Sequence, residues 1–151
     1  MTATRSDSPL TERELAAWRG MLRVHRDVVA RLDAELERDQ GLPLTSYEVL
    51  ISLADAPDGR LRMGDLAGAL LLSRSGLTRL VDRLERQGLV DRERCEDDAR
   101  GYFAVITHEG RRKLASARPT HWAGVRDHFL QHLSAADLDA LARAWARVGS
   151  A

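Results

Sequence analysis

The hydrophobic period of the chain changes at Gly88, and this change restricts the folds that the sequence can adopt. Upstream of Gly88, apolar residues recur every three or four positions, as on one face of an α-helix. These residues are Leu77, Leu80, Val81 and Leu84. Downstream, the helical period is lost: Leu89 and Val90 are followed by four charged residues at 91–94, residues 96–101 are mainly polar, and residues 102–106 are mainly apolar. We therefore expect a helix over about residues 74–87, a glycine stop and a two-stranded hairpin with a polar tip.

Two earlier helices are predicted from their first turns. Thr11 and Glu14 have the spacing of a capping box, in which each side chain satisfies a backbone N–H at the start of a helix. Thr45 and Glu48 repeat this spacing and predict a second helix over about residues 45–54. The predicted core face of the second helix consists of Tyr47, Leu50, Ile51 and Ala54.

Short elements connect the second helix to the helix before Gly88. Residues 56–59 have the composition of a turn, residues 60–62 read as an extended piece, and residues 63–70 read as a short helix. Ser73 is a residue type that commonly caps helices, so we expect it to begin the helix that follows.

Two further helices are predicted after the hairpin. We expect Thr107 to cap a long helix that runs to about His132, with a kink at Pro119. Ser134 and Asp137 have a third capping-box spacing and begin a final helix. This order of elements predicts a mainly α fold with a small β-hairpin wing, a winged helix-turn-helix with long N- and C-terminal helices.

The first helix carries an apolar seam that needs a partner helix to cover it. The seam steps by three and four residues in turn, as in a coiled coil. Its members are Leu15, Trp18, Leu22, His25, Val29, Leu32 and Leu36. An identical subunit is the simplest partner, so we expect a homodimer. We expect one domain over residues 1–151, with a winged-helix lobe at about 44–107 and dimerisation helices at about 11–38 and 108–148.

The helix before Gly88 combines small polar residues and arginines on its outer face. The second helix of a helix-turn-helix lies in the major groove of double-stranded DNA, where its first turns reach bases and phosphates. The residues that we expect to contact DNA are Ser73, Arg74, Ser75, Gly76, Thr78, Arg79 and Arg83. The formal net charge is zero, so DNA binding must come from this local placement. The alternative is an ordinary solvated helix face.

Two stretches resemble the MarR-type transcriptional regulators. DLAGALLLSRSGLTRLVDRLERQGLV and DDARGYFAVITHEG are similar to that family's recognition helix, its D-x-R wing and the L-T-x-x-G opening of its next helix. The resemblance implies a homodimer that binds a palindromic operator and is released by a small ligand or by oxidation. It also implies that Arg100 reads DNA from the wing, although Ala99 replaces an arginine found in many members. Because Asp98 stands two residues before Arg100 at the hairpin tip, we expect its carboxylate to orient the Arg100 side chain. Cys95 lies beside the wing and not near the start of the first helix, so the family's thiol-sensor role does not carry over.

A site for a small apolar or aromatic effector is predicted where the first two helices meet. Trp18, Met21 and His25 share one face of the first helix, and Tyr47 and Leu50 lie on the second. The alternative is that these five residues are ordinary core.

Three histidines, His121, His128 and His132, share one face of the long helix. His128 and His132 have metal-ligand spacing, but no carboxylate or cysteine is placed to complete a site, so we expect no metal and no cofactor. Two alternatives remain: a metal-responsive regulator, tested by metal content, and a winged-helix protein-interaction module without DNA readout, tested by retention on a DNA resin.

No nucleophile or phosphate-loop motif supports an enzyme. With no apolar run long enough to cross a bilayer and no secretory signal, we expect a cytoplasmic protein without membrane contacts.

Overall fold

The computed structural model of the chain describes residues 8–150, and for residues 98–100 the description covers the backbone alone. Six α-helices, two short 3-10 turns and three strands alternate along this part of the chain. They are α1 (Glu12–Gln40), α2 (Leu44–Asp55), a 3-10 turn (Pro57–Gly59), β1 (Arg60–Arg62), α3 (Met63–Ala69), α4 (Arg74–Arg86), β2 (Val90–Cys95), β3 (Asp98–Ile106), α5 (His108–His128), a 3-10 turn (Leu130–His132) and α6 (Ala135–Gly149). This order confirms the mainly α, winged helix-turn-helix fold.

Most predicted helix starts are confirmed by the hydrogen bonds of their first turns. The Thr11 and Ser134 capping boxes form as expected, and the side chains of Ser73 and Thr107 accept the backbone N–H groups that begin α4 and α5. Gly88 adopts the positive φ of 72° that a helix stop of this kind requires.

The predicted capping box of α2 is wrong. The helix begins one residue earlier, at Leu44, and its N-cap residue, Pro43, offers no side-chain hydrogen bond. The backbone N–H of Leu44 instead donates to Asp33 Oδ1 at 2.8 Å. A carboxylate on α1 therefore satisfies the start of α2, and a contact between distant parts of the chain replaces the local one that the Thr45 and Glu48 spacing predicted.

The strands of the wing are longer, and the turn between them is shorter, than the polar residues 96–101 predicted. The turn consists of Glu96 and Asp97, and the backbone of β3 already begins at Asp98. A strand can continue through polar residues where it projects into solvent, because its ladder is made by backbone groups. The sheet also has a third strand: β1 pairs antiparallel with β3, Leu61 opposite Ala104, in the order β1-β3-β2.

The long helix α5 ends sooner than expected. It runs without a break through Pro119 but stops at His128, and residues 130–132 form a separate 3-10 turn. Within the described residues, no helix is both long and apolar enough to cross a bilayer.

One apolar core joins the winged-helix lobe to the long helices. Its fully buried side chains come from the first four helices, from the sheet and from α5: Leu36, Val49, Leu50, Leu53, Leu66, Val81, Leu84, Val90, Ala104 and Ala117. Ile51 and Ala54, predicted for the core face of α2, are only partly buried at its edge. The seam of α1 is divided, because Leu32 and Leu36 are buried within the chain whereas Trp18, Leu22 and Val29 are exposed.

The end of α4 is fastened to the start of α5. Thr107 Oγ1 donates to the carbonyl of Gly88 at 2.7 Å and accepts the N–H of Gly110 at 3.0 Å. A Cβ atom on Gly110 would lie 2.1 Å from the carbonyl oxygen of Leu89, so only glycine allows this approach. The orientation of α4 is thereby set by the long helix α5.

Candidate nucleic-acid interface

The helix α4 presents a polar outer face over a buried apolar stripe. Leu77, Leu80, Val81 and Leu84 are all at most 5% exposed. On the opposite side, the residues predicted to meet DNA are exposed, except that Gly76 is half-buried. The exposed members are Ser73, Arg74, Ser75, Thr78, Arg79 and Arg83. The structure thus brings together every predicted contact residue of the helix on one surface, the recognition face.

The hydroxyl groups of the recognition face bond to one another and to their own helix. Ser73 Oγ accepts from Gly76 N at 3.1 Å and lies 3.3 Å from Ser75 Oγ. Thr78 Oγ1 donates to the carbonyl of Arg74 at 2.8 Å. These bonds fix the side chains of the first turns close to the helix, which leaves the longer arginines as the groups that reach farthest.

Sequence reasoning missed Arg86, which extends the recognition face. It lies seven residues after Arg79, about two helical turns along the same side. Its guanidinium is exposed and donates from Nε to the carbonyl of Asp82 at 3.3 Å. The spacing from Arg79 was visible in the sequence. Arg86 was not predicted because it lies in the last turn of α4, whereas the first turns of a recognition helix contact the bases.

Two arginines of β1 were also missed. Arg60 and Arg62 are exposed, and their guanidinium carbons lie 4.7 and 5.4 Å from the centre of the Phe103 ring on β3. Arg60 also forms an ion pair with Glu93 at 3.2 Å. The pairing of β1 with β3 places these cations at the base of the wing, and a strand of three residues gave no sequence signal of that pairing.

The side chains of Asp98 and Arg100, the predicted wing pair, lie outside the described residues. Their backbone belongs to β3, in the distal part of the hairpin. Their roles remain predictions.

A cavity of about 850 Å³ separates α4 from the wing. Arg74 and Thr78 line it from the recognition helix, Arg62 from β1, and Arg92 and Cys95 from β2. Cys95 is buried.

The five residues predicted for an effector site differ in burial. Tyr47 and Leu50 are buried in the core, whereas Trp18 is 53% exposed, His25 is exposed and Met21 is half-buried. Partial burial raises the pKa of the Glu48 carboxyl group on α2, and the positive charge of a protonated His25 nearby lowers it in part.

The histidines contact other helices. The rings of Tyr47 and His121 stack with their centres 4.5 Å apart, and burial lowers the pKa of His121. His128 Nε2 lies 2.6 Å from Glu35 Oε1, and His132 lines a cleft of about 620 Å³ between α1 and the end of α5. Among the described residues, no three His, Cys, Asp or Glu side chains are grouped so as to hold a metal ion.

Large apolar side chains remain exposed on the long helices. The final helix α6 has no buried residue at all, although Leu138, Trp145 and Val148 lie along it. On α5, Trp122 is 50% exposed. Together with the exposed half of the α1 seam, they are apolar side chains that the chain itself leaves uncovered, here called the unpartnered apolar surface.

Comparison with known proteins gives matches to the winged-helix lobe and to the whole chain. The model of the MarR family matches residues 40–101. The transcriptional repressor YetL of Bacillus subtilis is 31% identical over 86 residues, which are 57% of this chain and 52% of YetL, so the match spans about half of that protein's length.

Two solved structures match over nearly their full lengths. AbsC, a MarR family transcriptional regulator from Streptomyces coelicolor, is 38% identical with a TM-score of 0.85, over 95% of this chain and 96% of AbsC. Sco3205, a MarR family regulator from the same organism solved in complex with DNA, is 36% identical with a TM-score of 0.86, over 94% of this chain and 89% of Sco3205. The chain belongs to the MarR family of transcriptional regulators.

Proposed function

We propose that this protein is a homodimeric repressor that binds a palindromic DNA operator through α4 and is released by a small ligand. The observation that carries the proposal is the recognition face, where arginines and small polar residues project from a helix whose other side is buried in the core. Such a face suits insertion into the major groove, with arginine forks on guanine edges and phosphates. Sco3205, which has the same fold, was solved bound to DNA.

The unpartnered apolar surface supports the dimer. Indole rings that are half exposed, such as Trp122 and Trp145, are costly to leave in water over a contiguous area. Covering them with the same helices of a second subunit forms a two-fold interface. Two copies of α4 would then lie about one DNA turn apart, roughly 34 Å, as a palindromic operator requires.

The junction of α1, α2 and α5 is where we propose that the effector binds. Trp18, Met21, His25, Tyr47 and Leu50 remain the proposed lining. Support comes from His121, whose Nδ1 atom is buried there without a hydrogen-bond partner among the described residues, beside the Tyr47 ring. An aromatic effector with a polar substituent matches this mixture of aromatic surface and one unsatisfied nitrogen. For a hundredfold loss of operator affinity, the effector must favour the DNA-incompetent state by about 2.7 kcal/mol.

Fluorescence anisotropy with the DNA upstream of the protein's own reading frame tests DNA binding. Alanine substitutions of Arg74, Arg79 and Arg83 should each weaken specific binding, by about 1 to 3 kcal/mol where the arginine reads a guanine. Arg26→Ala is a matched control, because this exposed arginine lies on α1 and pairs with Asp27. Equal affinity of the three variants and the wild type would reject DNA readout and favour a protein-interaction module.

A further inference from the structure

We infer that Arg92 of β2 is a positioning residue that holds the recognition helix and the wing in the relative orientation that DNA binding needs. The inference rests on the proposed function, because it assigns a role in DNA binding to a residue that need not touch DNA. Arg92 was not among the residues expected from the sequence to contact DNA.

The guanidinium of Arg92 contacts three groups of α4. Its Nη2 atom lies 2.6 Å from Asp82 Oδ1 and donates to the carbonyl oxygen of Thr78 at 3.3 Å. Its Nη1 atom donates to Glu85 Oε2 at 3.2 Å. One side chain of the wing is therefore bound to about two turns of the recognition helix.

The spacing of the three partners explains why an arginine is needed. Thr78, Asp82 and Glu85 follow one another at intervals of four and three residues, so they lie on one flank of α4, the flank that faces β2. A planar guanidinium presents several N–H groups in a fixed fork and can bond to all three. A lysine ammonium in the same place is a single point charge on a flexible stem and would hold the helix less firmly.

The arrangement also balances charge next to DNA. Asp82 and Glu85 are carboxylates on the helix that approaches phosphates, and their side chains are 44% and 41% exposed. Arg92 is a cation in contact with both of them. Without it, two negative charges would remain uncompensated on the recognition helix, and these contacts between the wing and α4 would be lost.

The burial of Arg92 argues for positioning rather than direct contact with phosphate. Its side chain is 23% exposed, about half the exposure of either carboxylate. The guanidinium thus lies beneath its partners, whereas Arg79 and Arg83 stand exposed on the recognition face.

A salt series of operator titrations separates the two roles. We expect Arg92→Met to lose about tenfold in affinity with an unchanged slope of log K against log salt, because no phosphate contact is removed. Arg92→Lys should recover part of the loss. In a background that carries Asp82→Asn and Glu85→Gln, Arg92→Met should lower operator affinity much less, because the two partners of Arg92 are already neutral. A slope that falls by about one, or the same loss in the neutral background, would show a direct phosphate contact and overturn the inference.

Hydrogen–deuterium exchange of the DNA-free protein tests the same inference without operator binding. The amides of β2 and the flank of α4 should exchange faster in Arg92→Met and at an intermediate rate in Arg92→Lys. Arg94→Met, which changes an exposed arginine of the same strand, is the control and should exchange like the wild type. Normal exchange in Arg92→Met would overturn the inference even if DNA binding is intact. Faster exchange in a protein that binds no operator would instead reject the proposed function and leave the link between wing and helix standing.

Discussion

Substituting Gly110 by alanine tests the link between the recognition helix and the long helix α5. The new Cβ atom would lie 2.1 Å from the backbone oxygen of Leu89 and 2.9 Å from Ile106 Cγ1. The Leu89 oxygen belongs to the main chain, and it also accepts the N–H of Thr107 at 3.2 Å. It cannot rotate away as a side chain would, so either α5 or the segment after α4 must shift.

The two contributions to stability have opposite signs. Forcing a methyl group into a packed site costs about 1 to 3 kcal/mol. Alanine in place of glycine within a helix returns up to about 1 kcal/mol. Because the clash involves backbone, we expect a net loss of about 1 to 2 kcal/mol in the free energy of unfolding for Gly110→Ala.

Urea unfolding at fixed protein concentration measures this loss. Gly68→Ala is the matched control, because a Cβ atom on that exposed helical glycine meets nothing within 4 Å. The control should be as stable as the wild type or more so. Operator affinity should also fall in Gly110→Ala, because α4 loses its fixed orientation on α5. A Gly110→Ala protein as stable as Gly68→Ala would show that the close approach of α5 to Leu89 does not hold the two segments together.

Three further predictions concern the wing, the histidine stack and the dimer. Asp98→Ala should weaken operator binding by roughly 1 kcal/mol, because we propose that the carboxylate orients Arg100; tighter binding would mean that Asp98 acts only by repelling DNA. Burial lowers the pKa of His121 below its value in the unfolded chain. As the pH drops below about 6.5, His121 therefore binds a proton in the unfolded chain before it does so in the folded protein, and the free energy of unfolding should fall. Urea unfolding across that range should show a weaker pH dependence in His121→Gln, and an unchanged dependence would assign it to other groups. Trp145→Glu should yield monomers in light scattering, and a stable dimer would place the interface elsewhere.

Local sequence signals were enough to predict the order of the elements. The period change at Gly88 and the caps at Thr11, Ser73, Thr107 and Ser134 act within a few residues, so the chain itself records them. The recognition face followed from the same helical period, since the residues opposite a buried stripe must be exposed.

What the sequence did not reveal depends on contacts between distant segments. Asp33 caps α2 from another helix, β1 reaches the wing by pairing with β3, and Arg92 bridges from β2 to α4. None of these contacts has a fixed spacing along the chain. The proposed effector residues illustrate the same limit: helical spacing placed Trp18 and Tyr47 on adjacent faces, whereas packing leaves one ring exposed and buries the other against His121.

Methylation interference on the bound operator measures whether two copies of α4 read the major groove. Methylation of guanine N7 blocks the major-groove edge that an arginine fork would contact. We expect two symmetry-related clusters of interfering guanines, about 10 base pairs apart from centre to centre, with interference reduced at one guanine of each cluster in Arg79→Ala. Binding that N7 methylation does not disturb, or a single cluster without a symmetry mate, would contradict it.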